Sequence, residues 1–296
     1  MSLKSNKIWK SLSRRKRRIL SVVAPKYNTE RIYKAIFGKE LDLNNPRDFN
    51  EKLQYLKLYS YYRNDVITQC VDKYRIRSYI EKYKGDIEEL FFPQLYEVYD
   101  SPKTIEWKKL PSKFVIKCNH GCGYNIFVQN KKDLDKESTE RLLQKWMKDD
   151  YWKEYCEVQY RFVEKKIIIE EYLGDNVESY KFYCFNGQPK ICYVSSMNET
   201  GIKDYYLDYF DMNWNKMPYQ LHGHKNYPRE IEKPNDFERM IEIAKEISGD
   251  FPFVRVDLYD IYGKIYMSEL TFIPTGGFMR LEPEGISEEW GKWLKL

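Results

Sequence analysis

The sequence predicts an α+β protein, on three observations. Amphipathic helical patterns fill most of the first hundred residues, strands begin at Phe114, and hairpins then alternate with helices instead of forming parallel crossover units. Apolar residues recur at three-and-four spacing in "RIYKAIFGKE", "DFNEKLQYLKLYSYY" and "ITQCVDKYRIRSYIEKY", and Pro46 and Asp48 are start signals for the second of these helices. The stretch 100–111 reads as a loop. "FVIKC" is a strand, "DKESTERLLQKWMKDDYWKEY" a helix and "KKIIIEEYL" a strand. "SYKFYCFNGQPKICYVSS" is a hairpin turning at Asn186-Gly187, "NDFERMIEIAKEIS" a helix, and "FVRVDLYDIYGKIYMSELTF" a closing hairpin.

With 296 residues, 42% hydrophobic and 32% charged, the chain reads as a globular protein able to bury a sizeable core. No apolar run approaches the roughly 18 residues of a membrane span, and Ile19 to Pro25 is too short for a signal-peptide core. Six cysteines scattered singly suit a reducing cytoplasm better than a disulfide framework. The net charge of +5 conceals an asymmetry. Residues 1–29 hold nine basic residues (Lys4, Lys7, Lys10, Arg14, Arg15, Lys16, Arg17, Arg18 and Lys26) and no acid, leaving 41 basic against 45 acidic residues in the body. Interleaved with Ile8, Trp9, Leu12, Ile19 and Leu20, this arm suits an anionic membrane surface; a solvated helix or a nucleic-acid contact are the other readings of the segment taken alone.

The final hairpin carries the most chemistry. Arg255, Asp257 and Tyr259 share one face of its first strand, and Glu269 and Thr271 share one face of the second. A three-residue loop ending at Gly263 pairs Arg255 with Glu269 and makes Asp257 and Glu269 diagonal neighbours whose carboxylates converge on a cation; a two-residue turn sets them on opposite faces. Two acids beside an arginine suit a metal-bridged phosphate, because Mg²⁺ takes oxygen ligands and the arginine binds phosphoryl oxygens. The plainer alternative is a cross-strand Arg255–Glu269 ion pair. In "FVIKCNHGCGYN", Val115 and Lys117 share a strand face, and a lysine in an apolar strand needs a partner. The loop that follows holds Asn119, His120, Gly121 and Gly123, whose backbone can approach phosphates closely; a plain hairpin turn is the commoner use of two glycines. Cys118, His120 and Cys122 give only three soft metal ligands at unusual spacing. Lys73, in a helix of mixed charge, reads by default as a surface lysine, and Glu170 and Glu171 as a solvated strand end.

Six ordered blocks change that balance. "NPRDFNEKLQYLKL", "DKYRIRSYI", "LPSKFVIKCNHGCGYN", "EVQYRFVEKKIIIEEYL", "YKFYCFNGQPK" and "FVRVDLYDIYGKIYMSELTFIPTGGF" together resemble the TupA-like ATP-grasp family, from about residue 30 to the C-terminus. The resemblance implies an ATP-grasp fold with a basic arm (1–29), a mainly helical region (30–110), a lid lobe (111–174) and a catalytic lobe carrying the metal-binding hairpin (175–296). It implies that Lys73 and Lys117 bind the phosphates of ATP under the 119–125 loop. Glu170, Glu171, Tyr172 and Leu173 would form the adenine hinge, with Glu178 on the ribose. Lys181 would lie near the phosphates, Asp257 and Glu269 would hold Mg²⁺, Arg255 would steady the transferred phosphoryl group, and Arg280 would meet a substrate. Thr271 stands where the superfamily carries a metal-binding asparagine, which leaves the number of metal ions open.

The activity implied is an ATP- and Mg-dependent carboxylate–amine ligase working through an acyl phosphate. It would join an amino acid or amine to a uronic acid of a cell-surface polysaccharide or its lipid-linked precursor, at the inner face of the cytoplasmic membrane, without nucleic acid as a partner. A sugar kinase, a glycosyltransferase and a nucleotide-binding pseudo-enzyme are the competing readings.

Overall fold

The computed structural model describes residues 3–85, 87–175, 177–195 and 206–296, with side chains from residue 13 onward. Lys4, Lys7, Ile8, Trp9, Lys10 and Leu12 of the arm, as side chains, lie outside the described residues. The helices are α1 (Leu3–Val23), α2 (Pro25–Phe37), α3 (Phe49–Tyr55), α4 (Asp65–Val71), α5 (Ile76–Tyr83), α6 (Lys136–Lys148), α7 (Phe237–Ser248) and α8 (Ile286–Trp293). Asp48 caps α3 and Glu51 reaches back to the Asp48 and Arg47 amides, a reciprocal capping box at the position the sequence marks as a start.

Two sheets hold the helices together. The smaller is built from β2 (Leu95–Tyr99), β3 (Phe114–Cys118), β4 (Asn125–Val128) and β5 (Ile167–Glu170), in the order β2-β5-β3-β4, all antiparallel. Its two faces differ. Phe114, Ile116, Cys118, Ile167 and Ile169 pack with Leu143 of α6 in a separate core, while Val115, Lys117 and Phe127 turn the other way. The larger sheet has seven strands in the order β1-β12-β11-β6-β7-β8-β9. These are β1 (Leu90–Phe91), β6 (Ser179–Phe185), β7 (Gln188–Ser195), β8 (Leu207–Phe210), β9 (Lys216–Met217), β11 (Phe253–Ile261) and β12 (Lys264–Thr271). Apart from the parallel β1–β12 contact it is antiparallel. A short ribbon of β10 (Gln220–Leu221) and β13 (Leu281–Glu282) lies apart from both sheets.

Three expectations need correction. Strands begin before Phe114: β1 joins the large sheet and β2 the small one, so the small sheet recruits chain from before residue 111. The helix expected across "ITQCVDKYRIRSYIEKY" breaks at Asp72, whose ψ of 111° ends α4; its side chain instead accepts the Tyr74 and Arg75 amides, an Asx turn that starts α5. The helix expected over 135–155 stops at Lys148 and gives way to two short 3₁₀ turns.

The large core joins the seven-stranded sheet to α3, α7 and α8, with Trp290 fully buried against Phe49, Tyr183 and Tyr209. Helices α3 and α8 touch closely because Gly291 has no side chain: a Cβ there would lie 2.2 Å from the Arg47 carbonyl oxygen and 2.8 Å from the Asp48 Cα. Alanine would gain about 1 kcal/mol of helix propensity, but a backbone collision of that size outweighs it. Gly291→Ala should therefore destabilise the protein by about 2–4 kcal/mol, read as a lower thermal midpoint; an unchanged or raised midpoint would contradict this packing.

Candidate active site

The site rests on one extra residue in β12. The hairpin turns through two residues, Tyr262 and Gly263, both at positive φ (52° and 75°), so Ile261 pairs with Lys264. The three-residue loop of the sequence reading is thus replaced by a two-residue turn, which alone would put Asp257 and Glu269 on opposite faces. A β-bulge at Ser268 reverses that outcome. Leu258 pairs with Met267, Asp257 pairs with Glu269, and Arg255 pairs with Thr271, not with Glu269. The two acids therefore stand directly opposite each other on one face.

The same face continues across the sheet. Asp257 also pairs with Lys181 on β6, and Lys181 with Tyr193 on β7, giving a polar row of Glu269, Asp257, Lys181 and Tyr193. Arg255 grips both oxygens of Asp257 at 2.6 Å, reaches Thr271 Oγ1 at 2.9 Å and the Tyr193 hydroxyl at 3.2 Å, and lies 3.5 Å from Glu269. Lys181, fully buried, donates to Ser195 Oγ and sits 4.8 Å over the Tyr193 ring. Burial pushes the Asp257 carboxyl above its usual range, and Arg255 only partly offsets this.

Cations from elsewhere in the chain complete the cleft. The Asx turn at Asp72 projects Lys73, which donates to the Gly121 carbonyl at 2.9 Å and pairs with Glu269 at 3.1 Å. Lys73 is thus a cleft residue and not a surface lysine. Asn119 anchors that turn to the small sheet, donating to Asp72 and the Glu164 carbonyl and accepting the Lys166 amide. From β3, Lys117 pairs with Glu170 at 2.6 Å, and Glu170 pairs with Arg77 of α5 at 2.8 Å. Burial would lower Lys117, but Glu170 outweighs it and the amine ends above its usual value; burial would raise Glu170, but Lys117 and Arg77 hold it below its usual range.

Lys117, Val115 and Phe127 from the small sheet face Tyr259, Ser268 and Glu269 from the large one across a single cleft, whose third wall is the 171–174 segment. Glu171, Tyr172 and Leu173 line it, and the Glu171 amide is tied to the Gln94 carbonyl. Glu170 shares the sheet face of Val115 and Lys117 but is buried in its ion pairs with Lys117 and Arg77 and does not line the cleft, so its carboxylate is part of the lobe junction. Gly123 lines the cleft at φ 77°; Gly121 is required by packing, since a Cβ there would meet the Tyr151 ring at 2.7 Å. His120 is buried against the Trp146 carbonyl, and burial lowers it to about 4, so it is neutral near pH 7. Glu178 and Arg280 do not line this cleft, and neither do Lys181, Arg255, Asp257 and Thr271, which sit in the sheet beside Glu269. Glu178 pairs with Arg229, and exposed Arg280 borders a different groove beside Lys39 and Glu288. Arg77, Tyr193, Ser195 and Phe127 are site residues that the sequence reading did not single out.

The donors around Glu269 test the metal reading. Asp257, Glu269 and Thr271 offer only oxygen atoms, which fits a hard ion such as Mg²⁺. Among the described residues no group of three or more His, Cys, Asp or Glu side chains could hold a metal, so a zinc site at Cys118, His120 and Cys122 finds no support, and Cys118 is a core residue.

A family model for TupA-like ATP-grasp proteins matches residues 51–295. The chain belongs to the TupA-like ATP-grasp family. No curated protein matches it in sequence. Among solved structures it is similar to the D-alanine–D-alanine ligase of Helicobacter pylori (13% identity, TM-score 0.44, covering 85% of this chain and 70% of that one). The ATP complex of the Bacillus anthracis D-alanine–D-alanine ligase (15%, 0.39, 84% and 64%) and the L-amino acid ligase of Bacillus licheniformis (15%, 0.41, 77% and 49%) are similar too. The chain thus spans less than two thirds of the Bacillus ligases it resembles.

The Glu170 junction generates a stability test. Removing one charge from a buried pair leaves its partners uncompensated, so Glu170→Gln should cost about 3 kcal/mol at pH 7. Because Glu170 is held low, its contribution is full above its unfolded value near 4.3 and fades as pH falls through the folded value; Lys117, held high, contributes fully below roughly 10.4 and fades as pH rises through its own. Denaturation at several pH values should therefore show the variant's deficit constant near neutrality and shrinking in acid. A deficit independent of pH would contradict the ion-pair assignment.

Proposed function

We propose that this protein is an ATP- and Mg-dependent carboxylate–amine ligase acting through an acyl phosphate. One observation carries the reading: Lys73 and Lys117, from separate parts of the chain, meet Glu269 of the β11–β12 hairpin in a single cleft, and Glu269 stands directly opposite the buried Asp257. Family membership supports the nucleotide. Lys73 and Lys117 would bind phosphate oxygens, the backbone of Glu171 to Leu173 would border the adenine, and Arg255 and Lys181 would face the transferred phosphoryl group. Mg²⁺, held by Asp257 and Glu269 with Thr271 as a weaker donor, would offset charge on the triphosphate.

In the first step a substrate carboxylate oxygen attacks the γ-phosphorus and the bond to the β-phosphate oxygen breaks, giving an acyl phosphate and ADP. An amine then attacks the acyl carbon, phosphate leaves, and the amine loses a proton. The protein's part is charge and position: Arg255 is anchored by Asp257 and Thr271, so its guanidinium is oriented before substrate arrives. The small sheet covers the cleft and keeps water from the acyl phosphate.

The acceptor we favour is a uronic acid of a cell-surface polysaccharide or its lipid-linked precursor, with an amino acid or amine as the second substrate. Exposed Lys16 and Val23 on α1 support contact with an anionic membrane surface. Among the described residues no helix is long and apolar enough to cross a membrane.

Phosphate release measured for uronic acids crossed with amino acids tests the reaction class. The expected result is phosphate only when both are present; ADP formed without an amine and without free phosphate would make the protein a kinase. Asp257→Asn and Glu269→Gln should each lower Mg-dependent turnover at least about hundredfold while leaving the circular-dichroism spectrum unchanged, and full turnover in either would remove the acids from the mechanism. Lys16→Glu with Val23→Asp should reduce co-sedimentation with phosphatidylserine vesicles; undiminished sedimentation would exclude this face of α1.

A further inference from the structure

The glycine loop has a second side. Gly123 faces the nucleotide cleft, while its neighbour Cys122 lines a separate groove between α1 and the small-sheet lobe. One bank of that groove is α1, with Arg14, Arg15 and Arg18. The opposite bank is the end of α6 and the turn after it, with Lys145, Lys148 and Lys153. Asp149 and Glu154 are the acids in its lining, and Asp150 beside it pairs with Lys153 at 2.7 Å, so the groove keeps a net positive charge.

The two acids serve to fix the groove. Glu154 accepts from Arg14, Arg17 and Arg18 at 2.6–2.7 Å. Burial would raise its carboxyl, yet the three guanidinium groups hold it at about 2, so it stays ionised and keeps α1 docked. Asp149 is shared: one oxygen takes Arg18 at 2.6 Å, the other the Tyr124 hydroxyl at 2.5 Å. Tyr124 closes the glycine loop, its carbonyl accepting the Cys118 amide. Lys145 and Lys148 are exposed and form no ion pair among the described residues, so their charge is presented to the groove. Tyr124 and Trp146, stacked 5.3 Å apart, form part of its wall.

We propose that this groove binds an acidic oligosaccharide, seating a charged chain beside the loop that covers the nucleotide. A row of cations along a concave wall with aromatic surface suits a ligand that carries repeated carboxylates on rings. A flat bilayer cannot follow a groove between a helix and a lobe, and the outward face of α1 is the surface available to one. The inference deepens the ligase reading, since it gives the carboxylate substrate a second point of attachment next to the reaction cleft.

The test is calorimetric titration of the full-length chain, without ATP, with a galacturonate oligomer, an uncharged dextran oligomer, phosphatidylserine vesicles and a single-stranded RNA. The galacturonate oligomer should bind and dextran should not, and Lys145→Ala with Lys148→Ala should weaken binding roughly tenfold, as expected for losing two exposed ion pairs. Absence of galacturonate binding, or binding indifferent to the two lysines, overturns the proposal. So does a lysine-dependent preference for vesicles or RNA, which would reassign the groove. Because no turnover is measured, the two readings fail separately: binding without ligase activity sinks the ligase alone, and ligase activity on single sugars without oligomer binding sinks the groove alone.

Discussion

Asp257 is a carboxylate with almost no access to water, placed opposite a second acid, and such a group must be given positive charge. Here Arg255 supplies it with two short contacts, Lys181 stands across the next strand, and Lys73 balances Glu269 from the helical region. Much of the architecture serves this requirement. The Ser268 bulge sets the acids on one face, the antiparallel register brings Lys181 beside them, and the Asx turn at Asp72 aims Lys73 into the cleft.

The same reasoning explains how a cleft can carry so many cations before any anion enters. Lys117 is held by Glu170, Lys73 by Glu269, and Arg255 by Asp257, so each cation has a carboxylate as its resting partner. In the proposed reaction, binding a triphosphate would be an exchange of partners, with Arg77 left to neutralise Glu170 as Lys117 turns to phosphate. An exchange of this kind would give modest net affinity but strong orientation, because desolvation of the buried charges has already been met on folding. It also ties the lobes together, since Arg77 and Lys73 leave neighbouring turns of the helical region for opposite walls of the cleft.

Much of this was legible in the sequence, and the misses have physical reasons. Alternation in "FVIKC" separated the Lys117 face from the Phe114 face correctly, and Asn186-Gly187 announced its two-residue turn by composition. The final hairpin was harder, because Tyr262-Gly263 forms a two-residue turn with a bulky first residue at positive φ, and the bulge at Ser268 has no compositional signature at all. Two errors of register cancelled, so Asp257 and Glu269 met as neighbours by a route the pattern did not contain. The break at Asp72 was hidden because apolar spacing continues on both sides of it. Arg77 and Ser195 carry no motif; they become site residues only through pairing between distant segments, which a single sequence does not encode locally.

The central claim is that the two acids of the hairpin and the lysines of the cleft bind one metal–triphosphate complex. Electron paramagnetic resonance of Mn²⁺, used in place of Mg²⁺, tests it most directly. The account predicts that added Mn²⁺ stays largely free with the protein alone, where the acids are occupied by Arg255 and Lys73, and becomes protein-bound when ATP is added, with bound Mn²⁺ counted per chain. A bound-ion signal of equal size with and without ATP, or one that survives simultaneous loss of both carboxylates, would contradict it.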